Sequence, residues 1–186
     1  MKYYIKNMVC DRCKLVVKTE IEKLGFTLLA VSLGEIELKE QLDELQKQQL
    51  IDALEALGFS LIDDKKSRII EQIKTIIIEM VHHSSSELKI NLSDYLSDRL
   101  HLEYNYISNL FSEIEGVTIE KYYIAQKIEK VKELLIYDEL TLSEIAFMLN
   151  YSSVAHLSAQ FKKITGLTPS YFKNLKIERR KPLDKV

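Results

Sequence analysis

Two cysteines in the stretch MVCDRC, Cys10 and Cys13, are the residues whose type and spacing most directly suggest chemistry. They are the only cysteines in the sequence. A C-x-x-C pair can clamp a soft metal ion or cycle between dithiol and disulfide, and two small residues can equally begin a helix. Two sulfurs suit linear copper(I), whereas structural zinc requires four ligands. The pair alone leaves all three interpretations open.

The rest of the sequence indicates a reducing compartment. No stretch approaches the roughly 20 apolar residues of a membrane helix. The start, MKYYIKNMVCDRCK, lacks the apolar segment of a signal peptide. We therefore expect a cytoplasmic protein without a membrane partner, in which both thiols are reduced.

The composition is typical of a soluble, helix-rich protein, and the length of 186 residues suits two small domains. The formal charge of −2 hides an uneven distribution. Residues 67–139 contain 8 basic and 13 acidic residues, a net charge of −5, whereas residues 140–186 contain 8 basic and 3 acidic residues, a net charge of +5. This basic C-terminal block favours contact with phosphates, or else it is a solvated tail.

An internal repeat predicts the organisation of the N-terminal part. The stretch EKLGFTLL at 22–29 returns as EALGFSLI at 55–62, each time after an amphipathic helical pattern. Each copy predicts a helix, a glycine turn and a strand. With YYIK in front and EIELK in the middle, the order becomes strand, helix, strand, strand, helix, strand, which is the βαββαβ arrangement of ferredoxin-like domains.

The polar run DDKK at 63–66 predicts a domain boundary, which gives domains at 1–64 and 67–186. The next stretch, RIIEQIKTIIIEMVHH, keeps its apolar residues at helical spacing and is assigned to the second domain. We expect His82 and His83, at the end of this helix, to cap its terminal carbonyls.

A second repeat identifies two helix-turn-helix units. FSEIEGVT at 111–118 returns as FKKITGLT at 161–168, and INLSDYLSDRLHL upstream matches LTLSEIAFMLNYS in pattern. Each copy predicts a short helix, a tight turn and a second helix that ends at Gly. We expect Phe111, Phe161 and Ile164 to lie in the cores of these units. Between the copies, IEKYYIAQKIEKVKELLIYDE predicts a long connecting helix.

The segment LTLSEIAFMLNYSSVAHLSAQFKKITGLTPSYFK resembles the second helix-turn-helix of AraC/XylS-type transcription regulators, and the resemblance extends back to about Ser67. It implies an all-helical domain whose two recognition helices enter successive major-groove segments of DNA. These helices are expected at about 104–114 and 153–164. Together with the N-terminal part, the predicted fold class is α+β.

Matching positions in this family implies a set of DNA-contacting residues, because side chains on a recognition helix read base edges in the major groove. The first helix contributes Asn105, Ser108 and Asn109. The second contributes mostly small residues at the matching positions, with two polar neighbours and two lysines: Val154, Ala155, His156, Ser158, Ala159, Gln160, Lys162 and Lys163.

The first unit departs from the family in its charge. Glu113 and Glu115 stand where family members usually carry basic residues, and carboxylates near phosphates are repelled. We therefore expect the second unit and the basic tail to supply most of the DNA affinity. The rival interpretation is a helix-turn-helix fold that has become a partner-binding module.

The N-terminal part resembles the heavy-metal-associated domains of copper chaperones and metal pumps. M-x-C-x-x-C after the first strand and the ending LEALGFSLI carry this resemblance, although Asn7 replaces the usual Gly. It implies that Cys10 and Cys13 bind copper(I) or another soft metal. The alternatives are a thiol switch, and a scaffold that merely kept its cysteines. Met8 is expected to be a core residue and not a ligand.

These patterns together predict a transcription regulator whose N-terminal domain senses or docks something that alters DNA binding. The implied partners are double-stranded DNA and RNA polymerase or another transcription protein, and the oligomeric state is left open. The alternative is a metal-trafficking protein with a helical docking module. No enzyme is predicted, because the sequence has no nucleophile set, phosphate loop or paired carboxylates.

Overall fold

The computed structural model describes residues 1–62, 65–83 and 91–175. The chain is mixed α+β and mostly helical, and it divides into two compact units, Met1–Thr75 and Ile76–Val186. This division lies about ten residues after the predicted boundary, whose residues 63 and 64 are outside the described part. The predicted limits, 1–64 and 67–186, stay a prediction. Much of the predicted basic tail, residues 176–186, also lies outside the described residues.

The first unit contains a small antiparallel sheet with helices between its strands. In chain order its elements are β1 (Lys2–Lys6), α1 (Asp11–Lys23), β2 (Leu28–Ser32), β3 (Glu35–Leu38), α2 (Glu44–Glu55), β4 (Ser60–Ile62) and the start of α3 (Lys65–Ile78). Within residues 1–62 the strand order is β2-β3-β1-β4. In the central strand β1, Tyr3 is paired with Ile36 of β3, and Ile5 with Leu61 of β4.

The repeated glycines explain why each helix of this unit turns into a strand. Gly25 follows α1 with φ at 78°, and Gly58 follows α2 with φ at 82°. Because a side chain is disfavoured at positive φ, glycine supplies both turns. The two helices then pack apolar residues, spaced four apart, onto one face of the sheet. The buried core contains Ile5, Met8, Val17, Ile21, Ile36, Leu38, Leu50, Leu54 and Phe59. The prediction that Met8 is a core residue is confirmed.

The second unit is helical in its described residues. Its elements are a π-helical segment (Glu79–His83), α4 (Leu92–Leu100), α5 (Tyr104–Glu115), α6 (Ile119–Tyr137), α7 (Leu142–Met148), α8 (Val154–Thr165) and α9 (Pro169–Asn174). The pairs α4–α5 and α7–α8 are the two predicted helix-turn-helix units, and α6 is the predicted connecting helix.

The second repeat places equivalent residues in equivalent roles. Phe111 and Phe161 are fully buried, while Thr118 and Thr168 accept backbone N–H groups at the starts of α6 and α9. The expectation that Ile164 lies in the core is wrong, because its side chain is 47% exposed. Next to this last turn of α8, the core is filled instead by Phe172, whose ring packs edge-on against Phe161.

Helix α6 buries polar as well as apolar residues. Ile128, Val131 and Leu135 belong to the core shared with α7, α8 and α9. Its buried polar residues have partners: Lys132 pairs with Glu129 at 2.6 Å. Apolar periodicity predicted one face of this helix, but it gave no sign that the polar face is covered as well.

His82 is the buried titratable group of the π-helical segment, and the prediction that it caps helix carbonyls is wrong. Its side chain is 4% exposed, and its Nε2–H donates to Gln126 Oε1 at 3.1 Å. Burial, opposed by the Gln126 hydrogen bond and by Glu133 and reinforced by Lys130 and His83, lowers the pKa of His82 to about 4. His82 is therefore neutral at pH 7.

Acidification is expected to destabilise the helical unit through His82. In the unfolded chain His82 has a pKa near 6.5 and binds a proton below that pH, whereas in the folded chain it stays neutral down to about pH 4. Stability is therefore complete above about pH 6.5 and falls as the pH decreases to about 4. The lost free energy of unfolding is on the order of 3 kcal/mol. Urea unfolding monitored by helix content, at pH 7 and at pH 4.5, measures this loss.

The matched variants are His82→Gln and His101→Asn. The first should remove most of the dependence on pH in this window, while the second, at an exposed left-handed cap after α4, should retain it. An unchanged pH profile for His82→Gln would assign the acid sensitivity to other groups.

Candidate nucleic-acid interface and the cysteine pair

The first helix-turn-helix unit presents a polar face on α5. Helix α4 ends at Leu100 and is capped by His101, which adopts the left-handed conformation with φ at 53°, and α5 begins three residues after this cap. The core face of α5 carries Ile107, Leu110 and Phe111, all buried. Asn105 and Asn109 are exposed, four residues apart, and Ser108 between them is half-buried. All three predicted contact residues of this helix thus lie outside its core.

The start of α5 is fastened to α6 by a hydrogen bond that the sequence did not suggest. Tyr104 Oη donates to a carboxylate oxygen of Glu120. This bond lowers the pKa of Glu120, while burial and the same bond raise the pKa of Tyr104. Glu120 is therefore an anion that holds the first turn of the first recognition helix.

The second unit begins with strong local signals. Thr141 and Glu144 form a capping box at the start of α7, in which Thr141 N–H donates to Glu144 Oε2 at 2.7 Å. The turn contains Asn150 with φ at 54°, a conformation that asparagine tolerates better than most residues. Ser153 then caps α8 by accepting the backbone N–H of His156 at 3.0 Å. These caps fix where the second recognition helix starts.

The outer face of α8 carries the remaining predicted contact residues. Leu157 and Phe161 form its core face and are fully buried. Six predicted residues are exposed, namely Val154, Ala155, His156, Ala159, Lys162 and Lys163, while Ser158 and Gln160 are half-buried. Their contact with DNA stays a prediction.

The two recognition helices differ in charge at their C-terminal ends. Lys162 and Lys163 are exposed in the last turns of α8. The repeat places Ser112 and Glu113 at the same positions of α5, and Glu113 is exposed. The second helix can therefore attract phosphates at a place where the first would repel them.

Two polar side chains on α8 are held by residues of the preceding turn. Tyr151 Oη donates to Gln160 Oε1 at 2.7 Å, and Ser152 Oγ lies 3.0 Å from His156 Nδ1. Sequence reasoning missed Tyr151, although the string NYSS immediately before α8 contained it.

A family model described as a helix-turn-helix domain matches residues 96–174, which include both recognition helices. These residues form an AraC-type helix-turn-helix domain. The AraC-type part of the resemblance is thereby confirmed. AraC-type transcription regulators are not enzymes, and the prediction that the chain is not an enzyme is confirmed for the part that the family model matches.

Two related proteins match a longer part of the chain than the family model does. The probable transcriptional regulator LumQ of Photobacterium leiognathi is 26% identical over 177 residues, which cover 89% of this chain and 70% of that protein. The HTH-type transcriptional regulator YtdP of Bacillus subtilis is 27% identical over 146 residues, or 76% of this chain. The chain spans only 18% of the length of YtdP.

Two solved structures share the fold of the AraC-type domain. An AraC-type regulator from Chromobacterium violaceum superposes with a TM-score of 0.52 at 15% identity, over 61% of this chain and 96% of that chain. The C-terminal domain of AraT, a response regulator from Geobacillus stearothermophilus, superposes with a TM-score of 0.51 at 24% identity, over 63% of this chain and 95% of that chain.

Across residues 1–62, 65–83 and 91–175, no helix has the length and apolar character needed to cross a membrane.

The cysteine pair lies where β1 leads into α1. Cys10 is the N-cap of α1 and Cys13 is in its first turn, and their sulfurs are 3.1 Å apart. Asn7, which replaces the usual Gly of the motif, has φ at 70° and donates through Nδ2 to Gly58 O at 3.1 Å. Asparagine therefore preserves the left-handed turn that glycine would make.

The two thiols supply two sulfur ligands, which is the number that a linear soft ion such as copper(I) takes. Among the described residues, no group of three or more His, Cys, Asp or Glu side chains is placed to hold a metal. Burial raises the pKa of Cys13, as does the contact with the Cys10 thiol, and these effects outweigh the backbone N–H groups that favour its thiolate. The helix start alone therefore does not activate this cysteine, and any metal must displace its proton.

Proposed function

We propose that this chain is a sequence-specific transcription regulator of AraC type, which binds double-stranded DNA through both recognition helices. The observation that carries the proposal is the AraC-type domain with an exposed face on each recognition helix. A chain with two such helices can bind two successive major-groove segments as a monomer. Bound at a promoter, it would contact RNA polymerase or another transcription protein. We place its action in the cytoplasm.

The second recognition helix supplies most of the affinity in this proposal. Lys162 and Lys163 are exposed on α8, and each phosphate contact releases counterions. The small residues Val154, Ala155 and Ala159 suit contact with thymine methyl groups, whereas Asn105 and Asn109 on α5 suit hydrogen bonds to adenine.

Selection of bound sequences from random double-stranded DNA tests the proposal, with the full chain under reducing conditions. We expect one enriched motif with two parts, and a binding constant that falls steeply with salt. A protein that binds all sequences equally at moderate salt would contradict the regulator function. That outcome would favour a partner-binding or metal-trafficking protein, for which the acidic residues Glu113 and Glu115 of α5 are the supporting observation.

For the N-terminal unit we propose a ferredoxin-like fold of the heavy-metal-associated kind. The strand order β2-β3-β1-β4 supports it. Helix α1 connects β1 to β2 and helix α2 connects β3 to β4, and the two strands of each pair run in the same direction without being neighbours. In this proposal Cys10 and Cys13 hold copper(I), and occupancy changes the affinity of the chain for DNA. The 3.1 Å between the sulfurs, about 1 Å more than a disulfide bond, also supports the thiol switch as an alternative.

Copper(I) is expected to bind at one ion per chain, and the variant Cys10→Ser with Cys13→Ser should bind none. Titration against a competing copper(I) chelator measures the stoichiometry. Met8→Leu is the matched control, and it should retain one ion because Met8 is buried in the core. If the double serine variant still binds one copper(I) ion per chain, Cys10 and Cys13 are not the copper ligands.

The coupling to DNA is measured separately, by binding with and without copper(I) and after oxidation with a disulfide reagent. Coupling of about 1 to 3 kcal/mol corresponds to a change in affinity of roughly 5- to 150-fold. A change with copper(I) supports metal sensing, a change only with the oxidant supports the thiol switch, and no change with either contradicts both.

A further inference from the structure

Lys127 is a buried lysine in the middle of α6, and its charge lies against an aromatic ring. It is 8% exposed, and its Nζ lies 3.8 Å from the centre of the Tyr151 ring. The Tyr123 ring, one turn earlier on α6, is 5.5 Å away. A cation over the face of an aromatic ring is attracted by the ring's electron density. Lys127 therefore packs against a residue of the turn that leads into α8.

Tyr151 connects this contact to the second recognition helix. It is 8% exposed. Its hydroxyl donates to Gln160 Oε1 at 2.7 Å, and its ring meets the His156 ring edge-on at 5.4 Å. Gln160 and His156 lie one helical turn apart on α8, so Tyr151 touches that helix at two points along its length. Both are polar residues predicted to contact bases.

Burying an ammonium is costly, and an apolar side chain would fill the same space. Burial lowers the pKa of Lys127 to about 8, so the residue is mostly charged at pH 7 and becomes neutral above pH 8. The facing titratable groups, Tyr123 and Tyr151, both have raised pKa values because they are buried, and they stay neutral over this range. A charge retained at such a cost requires an explanation beyond filling the core.

We propose that Lys127 is a positioning residue for base recognition. Its ammonium holds the Tyr151 ring and thereby fixes the orientation of α8 in the major groove. This inference rests on the proposed DNA-binding function. It also has a consequence for specificity. Because Tyr151 already donates to the carbonyl oxygen of Gln160, one of that oxygen's two lone pairs is used, and we expect the amide N–H₂ of Gln160 to be the group that meets a base. Gln160 then favours acceptors such as guanine O6 and N7 over the two-point pairing with adenine.

The test compares Lys127→Met with the conservative Lys127→Arg, by selection and binding on random DNA. We expect Lys127→Met to lose roughly tenfold in affinity, as for a desolvated cation–π contact, and to relax base preference only in the half-site of α8. The salt dependence should not change, because Lys127 is not a phosphate contact. Lys127→Arg should restore both affinity and preference. The affinity of the natural chain should fall between pH 7 and pH 9, whereas that of Lys127→Arg should not.

Two further measurements keep the inference separable from folding and from the proposed function. Tyr151→Phe keeps the ring and should relax preference only at the base that Gln160 contacts. In the absence of DNA, the ring resonances of His156 in the full chain should shift in Lys127→Met and return in Lys127→Arg.

If the natural chain selects no sequence while these resonances shift, the proposed DNA-binding function fails, but the contact of Lys127 with Tyr151 is still shown to orient α8. If the natural chain selects a motif that Lys127→Met and Tyr151→Phe both select unchanged, the positioning role is overturned.

Discussion

Replacement of Ala159 by glutamate is expected to weaken binding to the selected DNA about 100-fold, which is the largest effect that a single exposed residue should have here. Ala159 is exposed in the middle of α8, between the core residues Leu157 and Phe161 in sequence but outside the core in space. A carboxylate at this position would face the phosphates and base acceptors of the major groove. Electrophoretic mobility or fluorescence anisotropy with the selected motif measures the loss.

The matched controls separate a local effect from a general one. Asn109→Glu introduces the same charge at the equivalent position of α5, and a smaller loss there would agree with the second helix supplying most of the affinity. Ala56→Glu makes the same change at an exposed site in the first unit, and it should leave DNA binding unchanged. Normal binding by Ala159→Glu would mean that α8 does not enter the groove.

Replacement of Phe161 by alanine is expected to cost about 3 to 5 kcal/mol of unfolding free energy. Phe161 is fully buried and its ring packs edge-on against Phe172, at 5.5 Å between ring centres. Truncation removes this contact and leaves a cavity that α7, α8 and α9 can fill only in part. Urea unfolding of the full chain, monitored by helix content, measures the change.

Ile164→Ala is the control for this truncation, because Ile164 is one turn further along α8 and largely exposed. It should cost less than about 1 kcal/mol, as surface substitutions usually do. An effect as large as that of Phe161→Ala would show that Ile164 is covered in solution and that the core of this unit is larger than described.

The sequence was most informative where local chemistry decides the structure. Repeated glycines such as Gly25 and Gly58 act on their own backbone, so the turns that they make could be predicted from the chain. The two helix-turn-helix units followed from the second repeat, whereas the bounds of the recognition helices and their outward-facing residues followed from the family resemblance. Ile164 shows what apolar spacing cannot predict. Its position matches the core face of α8, but periodicity does not say how far along the helix other elements cover that face.

The polar contacts behind the recognition helices were not predictable from the chain. Tyr104 bonds to Glu120, Lys127 covers Tyr151, and His82 bonds to Gln126, and each pair is between 16 and 44 residues apart. No periodicity or motif relates such residues, because the contact depends on how two helices cross. Burial in the folded chain is also the main cause of the shifted pKa values of Tyr104, Lys127 and His82, whereas the bond from Tyr104 lowers the pKa of Glu120.

By itself, then, the sequence determined the AraC-type character of the helical domain, the order of its helices and the cysteine pair at the start of α1. The order of the helices follows because turns and apolar stripes act within a few residues of the chain, and the AraC-type character follows from the family resemblance of the segment 140–173. Only the tertiary structure decided which charges are buried, that burial raises the pKa of Cys13, and that Lys127 reaches α8 through Tyr151. These properties arise from desolvation and from packing between distant segments, and the energy of both depends on the folded arrangement.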